Sequence, residues 1–259
     1  MHQTKLPVLF VGHGSPMNAI EDNEFTRGFR YIATTFPKPK AVLCLSAHWE
    51  TAGTWVTAME NPKTIHDFGG FPQALYQIQY PAKGNPSLAE KIQSLVHTTR
   101  IGLDYNWGID HGTWAVLKYL YPAADIPTLQ LSLDYNEPME FHCKLVKELA
   151  VLRDEGVLIM GSGNIVHNLQ ALNWRKPDTG YDWAIQANKH LIELINNNAL
   201  EQLINYESLG EEVRAGISTR EHYLPMPCML ALREDNEPIE LFNNKVVLGS
   251  LSMASFKIG

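Results

Sequence analysis

The chain has 259 residues, 45% hydrophobic and 19% charged, with no biased tract, which suits an ordinary globular protein of one large or two modest α/β domains. A formal charge of −7 without a basic stripe argues against a nucleic-acid binder, and no run of about 18 apolar residues offers a membrane span. No apolar signal-peptide core follows residues 1–5, and Cys44, Cys143 and Cys228 are an odd set inside apolar stretches, so a cytoplasmic protein without a disulfide framework is expected.

Residues 7–11 are a short apolar run ending at glycine, read as a buried strand. Residues 22–36 read as a helix closed by Pro37-Lys38-Pro39. Strands are expected over 41–46 and 54–58. The stretch 61–80 is rich in glycine, proline and aromatics and lacks a clean period, which marks a long functional loop or lid. Residues 86–98 form an amphipathic helix opening at proline, with Ile92, Leu95 and Val96 on one side. A strand over 101–105, a turn over 107–112 and a helix through Tyr119 follow.

Farther along come a strand over 127–133 and the clearest helix, 137–155, capped by Gly156 before a strand over 157–161. A helix over 181–197 and one or two closing strands over 246–258 complete the chain. Strands alternating with helices imply a largely parallel sheet covered on both faces. No repeat or linker splits the sequence, so a single domain over 1–259 is expected.

Five histidines sit just past apolar runs or open short turns: Gly12-His13-Gly14-Ser15-Pro16, Ser46-Ala47-His48-Trp49, Asp110-His111-Gly112-Thr113-Trp114, Gly163-Asn164-Ile165-Val166-His167-Asn168 and Glu221-His222-Tyr223-Leu224-Pro225. Neutral imidazole is the commonest metal ligand and the usual proton carrier near neutral pH. An open α/β sheet gathers strand-end residues into one pocket, so a mononuclear metal enzyme is the leading reading. Each histidine alone has a plainer one: a strand-end hydrogen bond for His13 and His48, a capped turn for His111 and His167, an exposed helix end for His222. His66 heads His66-Asp67-Phe68-Gly69-Gly70-Phe71-Pro72, a substrate-side loop. His2, His97, His142 and His190 read as solvent or helix-face residues. No nucleophile elbow, His-Glu-x-x-His helix, paired-cysteine knuckle or dinucleotide fingerprint is present.

Taken in order, these blocks resemble the class III extradiol ring-cleavage dioxygenases, in the branch of the DOPA 4,5-dioxygenases, over nearly the whole chain. The resemblance implies a three-layer α/β/α fold with a mixed, largely parallel central sheet. It implies one divalent metal ion per chain, held by His13, His48 and His222, with His167 beside it as acid/base or as a further ligand. His111 would face substrate and dioxygen with Asp110 behind it, and His66, Phe71 and Trp49 would meet the substrate. The wider class pairs two histidines with a glutamate. Here His222 stands in that place with Glu221 adjacent, a more positive site that also suits zinc. Fe(II) is expected for activity and Zn(II) in the protein as isolated. The implied reaction opens a catechol such as DOPA with O2 between carbons 4 and 5, giving a semialdehyde that cyclises spontaneously. A zinc hydrolase acting on an ester or amide, and a non-enzymatic relative, are the alternatives. The partners are the catechol and O2, with no nucleic acid and no membrane, in a monomer or homodimer.

Overall fold

Runs of Val, Leu, Ile and Phe bounded by glycine and proline build the strands of this computed structural model, which describes residues 5–234 and 236–259; His2 lies outside them. In chain order the elements are β1 (Val8–Gly12), α1 (Glu24–Ile32), β2 (Ala41–Thr51), β3 (Trp55–Thr57), α2 (Gln73–Tyr76), α3 (Pro86–Leu95), β4 (Gly102–Asp104), α4 (His111–Leu120), β5 (Thr128–Asp134) and α5 (Met139–Glu148). Then come β6 (Val157–Gly163), α6 (Asp182–Asn196), α7 (Leu200–Ile204), α8 (Glu211–Gly216), α9 (Pro225–Leu230), β7 (Ile239–Phe242), β8 (Val246–Val247), β9 (Leu251–Ser252) and β10 (Ser255–Ile258). Eight strands form one sheet in the order β4-β3-β5-β2-β6-β1-β10-β7, and β8 and β9 pair as a separate hairpin. The β2–β5, β2–β6, β1–β6 and β3–β4 pairs are parallel, whereas β1–β10, β10–β7 and β3–β5 run antiparallel.

Alternation along the central strands splits the core in two, because successive side chains leave opposite faces of a sheet. Val8, Phe10, Leu43 and Ile159 pack with α3, α5, α6 and α9, while Leu9, Val11, Val42 and Leu158 pack with α1 and α4. This is the α/β sandwich with a mixed, largely parallel sheet expected from the sequence. No helix of the described residues is long and apolar enough to cross a membrane.

Several expected elements changed length, among them the helix expected over 86–98, which ends at Leu95. The helix expected over 22–36 is α1, opened by Asn23, whose side chain accepts from Phe25 N and Thr26 N. The helix expected over 137–155 ends at Glu148 and becomes a 3-10 turn, Ala150–Arg153. There Arg153, 1% exposed, turns inward onto Leu6 O, Leu232 O and the Glu237 carboxylate. Gly156, at φ 88°, then supplies the left-handed residue that starts β6. The strand expected over 41–46 continues to Thr51 past an irregularity: β2 advances from Leu45 to Glu50 while β5 advances only from Leu131 to Leu133. The slack carries His48 off the regular ladder.

Candidate metal centre

Three imidazoles converge where β1, β2 and β6 end side by side. His13 follows β1, and its N–H donates to Gly163 O at 3.1 Å. His48 rides on the irregular part of β2. His222 comes from the segment before α9 and docks onto the end of β6, where Asn164 N donates to His222 O at 2.8 Å. Only glycine permits that approach at position 163, since a Cβ there would stand 2.1 Å from the His222 carbonyl oxygen. Ring nitrogens of His13, His48 and His222 all lie within 4.8 Å of one another.

The outer nitrogen of each ring is already engaged. Ser162 Oγ donates to Gly112 O at 2.6 Å, so it accepts from His13 Nδ1–H at 3.0 Å. His48 Nδ1 lies 3.2 Å from Asp67 Oδ2, and His222 Nδ1 donates to Glu221 Oε1 at 3.0 Å. The His13 and His222 rings therefore carry their protons on Nδ1, leaving Nε2 as the lone-pair nitrogen, while His48 Nδ1 meets Asp67 at ion-pair distance, off line for a straight hydrogen bond. This is the outer-partner pattern of metal-bound histidine. His13 Nε2 and His48 Nε2 are 3.1 Å apart. Two nitrogens bound at about 2.0–2.1 Å to one ion, at about 90–110°, stand about 2.8–3.4 Å apart, so the spacing fits a shared cation. Without a cation the two lone pairs repel. Burial, then the neighbouring imidazoles, hold His13 and His48 well below the usual histidine pKa, in the ligating form.

Around this triad stand His167 and His111. His167 stacks on His222, ring centroids 3.7 Å apart and planes 5° from parallel. Burial, and next His222, push its pKa down to about 3. Burial alone would raise the Glu221 carboxyl, but hydrogen bonds from His222 and Thr219 outweigh it and hold it at about 2. Glu221 thus orients His222, while His167, Glu221 and His222 also lie close enough to form a second donor group.

The backing of His111 differs from the sequence expectation. Asp110 is the N-cap of α4 and turns into the protein, taking bonds from Thr113 N, Ser46 Oγ and Gln130 Nε2 rather than from the His111 ring. Burial, then the Asp67 charge, raise its carboxyl. Asp67 stands behind His111 instead. Its Oδ1 accepts the His111 backbone N–H at 2.9 Å, and its Oδ2 lies 3.0 Å from His111 Nδ1, at ion-pair distance though off line for a straight hydrogen bond. Burial would raise the Asp67 carboxyl, yet the His111 contacts lower it. One carboxylate therefore serves His48 and His111 together.

These side chains floor a cavity of about 390 Å³ walled by Phe68, Phe71, Leu169, Leu172, Trp174, Leu248 and Leu251. Phe71 is on the wall as expected; His66 and Trp49 are not. His66 Nε2 donates to Ile78 O at 2.9 Å while its ring packs on Trp114, and Trp49 is buried in a parallel stack with Trp107 at 5.7 Å. The aromatic stack and the carbonyl bond satisfy both side chains away from the cavity. His142, expected on a solvent or helix face, is buried with Nδ1 donating to Pro138 O and Nε2 accepting from Asp134 N. His97 is exposed and His190 half-buried.

Residues 7–255 match the family described as the catalytic LigB subunit of aromatic ring-opening dioxygenase. A protein of Escherichia coli K12 named "4,5-DOPA dioxygenase extradiol" is 46% identical over 263 positions, covering 100% of this chain and 97% of that one. A protein of the same name from Beta vulgaris is 37% identical, covering 96% and 94%. The crystal structure of an uncharacterised Escherichia coli K12 protein superposes with a TM-score of 0.85 at 39% identity, covering 98% of this chain and all of that one. These likenesses set aside the hydrolase and the non-enzymatic relative. The chain belongs to the ring-opening LigB family, the class III extradiol dioxygenases, and is an oxidoreductase of that class.

Proposed function

We propose that this enzyme opens a catechol such as DOPA with O2 between carbons 4 and 5, using one divalent ion held by His13, His48 and His222. The observation that carries the reading is the convergence of three imidazoles, with Ser162, Asp67 and Glu221 behind them, on the floor of an aromatic-walled cavity. The name of the relatives supports DOPA as one substrate. When bound, the ion supplies Lewis acidity toward the diol and, as Fe(II), an electron path to dioxygen; Zn(II) suits the same neutral donors but supplies no such path.

Phe68 and Phe71 hold the ring against the histidine floor. His167, stacked on His222 and facing the cavity, accepts a diol proton and returns it as the ring opens. His111, held by Asp67 through its Nδ1 side, presents its other nitrogen to the reacting oxygen. Both oxygen atoms end in the product semialdehyde, which cyclises with its own amine when the substrate is DOPA. A single domain over 1–259 in the cytoplasm, as a monomer or homodimer, belongs to the same reading; strands of one sheet drawn from residue 8 to residue 258 support the single domain.

The test is anaerobic reconstitution of apoprotein with Fe(II), followed by a panel of catechols and air. A yellow ring-fission product with one O2 consumed per catechol is expected. No product from any catechol, with bound iron verified, overturns the proposal.

A further inference from the structure

Trp174 lines the histidine-floored cavity, yet it is 60% exposed. Leu169, also on the lining, is exposed as well, so the two form an apolar rim at the mouth. Among the described residues the Trp174 indole makes no hydrogen bond and stacks on no other ring. A large apolar side chain left in water beside a pocket is the kind of surface that a ligand covers. The backbone around it is nonetheless fixed. Asn173 N donates to Leu248 O at 2.7 Å, Arg175 N to Asn173 Oδ1 at 3.2 Å, and Leu248 N to Pro177 O at 2.7 Å. Such anchoring lowers the ordering cost of a contact with a ligand.

What the indole offers follows from its chemistry and its surroundings. Its π face attracts a cation within about 6 Å, tryptophan more strongly than tyrosine or phenylalanine. Phe68 and Phe71 meet edge to face, centroids 5.6 Å apart, and serve the catechol ring in the reading above. Among the described residues that line the cavity there is no lysine or arginine to occupy the indole face or repel a cation. The adjoining hollow, of about 720 Å³, shares Trp174 with the cavity and carries charges of both signs. Glu24 there is paired with Lys245, and Arg27 lies 3.8 Å from Asp22, whose closer partner is Arg30 at 2.7 Å. Glu21, Asp178 and Arg27 are all exposed, where water and salt screen them, so direct contact with the indole outweighs the field of this rim.

We infer that Trp174 is a specificity-determining residue, holding the ammonium of an amine-bearing catechol on its indole face at the cavity mouth. The inference rests on the ring-cleavage reading and names a substrate class for it: catechols with a short alkylammonium chain, DOPA and dopamine among them. The ring meets Phe68 and Phe71, and the chain carries the cation outward to the rim. A cation held there stays partly hydrated and avoids most of the desolvation that a buried one suffers. An uncharged chain of the same shape gains apolar contact from the indole but no attraction to its π face.

The test pairs dopamine with 4-propylcatechol, which has the same shape without the charge. Anaerobic calorimetry measures binding of both to the Zn(II)-loaded protein, and kcat/KM is read on the Fe(II)-loaded enzyme. Trp174→Leu should lower the dopamine-to-propylcatechol ratio about threefold or more by both measures, with DOPA moving in the same direction as dopamine. Trp174→Phe, which keeps an aromatic face, should fall between the leucine variant and wild type. Metal content and urea unfolding check that each variant is folded. An unchanged ratio in Trp174→Leu, or an equal fall in Trp174→Phe, overturns this inference and leaves ring cleavage standing. Turnover of neither catechol, with iron bound, instead overturns ring cleavage, and the binding ratios then decide the role of Trp174 by themselves.

Discussion

Asp67 lies next to His66 in the sequence, and a one-residue difference in where the two side chains point separates a site carboxylate from a packed imidazole. The loop block His66-Asp67-Phe68-Gly69-Gly70-Phe71-Pro72 has no periodicity that would tell the inward residue from its neighbour. The same ambiguity favoured Asp110 over Asp67 as the partner of His111, because adjacency in sequence stood in for adjacency in space. Asp110 instead answers a local demand, the first-turn amides of α4. Replacing Asp67 by Asn removes the charge that holds His48 and His111 while keeping the side chain's volume. Competitive chelator titration of Asp67→Asn should show metal affinity lower by about 10–100-fold, the usual effect of losing such an outer partner. Unchanged affinity would remove Asp67 from the account.

Among the elements, β2 and the segment before α9 decide whether a site exists. Regular pairing of β2 with β5 would leave His48 in the ladder; the local slip between Leu45 and Glu50 swings it over the sheet end. His222 arrives only because β6 ends in a glycine whose missing Cβ admits the His222 carbonyl. Gly163→Ala should therefore displace that segment. Expected are a stability loss of about 1–3 kcal/mol in urea unfolding and at least a tenfold loss of metal affinity. Gly69→Ala, where a Cβ meets nothing within 4 Å, should leave the unfolding midpoint unchanged and serves as the control. Equal behaviour of the two variants would contradict the docking role of Gly163.

At the scale of the molecule, chain segments far apart in sequence are tied together beneath the site by Arg153, which reaches Leu6, Leu232 and Glu237 from a buried position. Burial alone would raise the Glu237 carboxyl, but its bond to Arg153 outweighs that and holds it below the ordinary 4.5. A depressed carboxyl contributes its full stabilisation at neutral pH and loses it as pH falls below the ordinary value through the folded one. Glu237→Gln should cost about 1–2 kcal/mol at neutral pH, after allowance for solvent screening at the partly open glutamate. The difference from wild type should shrink as pH falls below the ordinary value and through the lowered folded one, where the wild-type carboxyl is protonated too. A pH-independent difference in denaturant unfolding would assign the effect to packing instead.

The sequence by itself determined the alternation of strands and helices, the largely parallel sheet covered on both faces, and the family carried by the six histidine-bearing blocks. Those features are local: apolar runs, glycine and proline boundaries, and short motifs whose meaning does not depend on distant residues. Which carboxylate backs His111, how His222 reaches the strand ends, and why His66 and Trp49 turn away from the cavity were decided by tertiary structure. So were the short elements α7 to α9 and β7, which lack enough periodic residues to announce themselves. Side-chain direction depends on strand irregularity, on helix-capping demands and on which backbone surfaces can touch, and none of these is encoded in the spacing of residues along the chain.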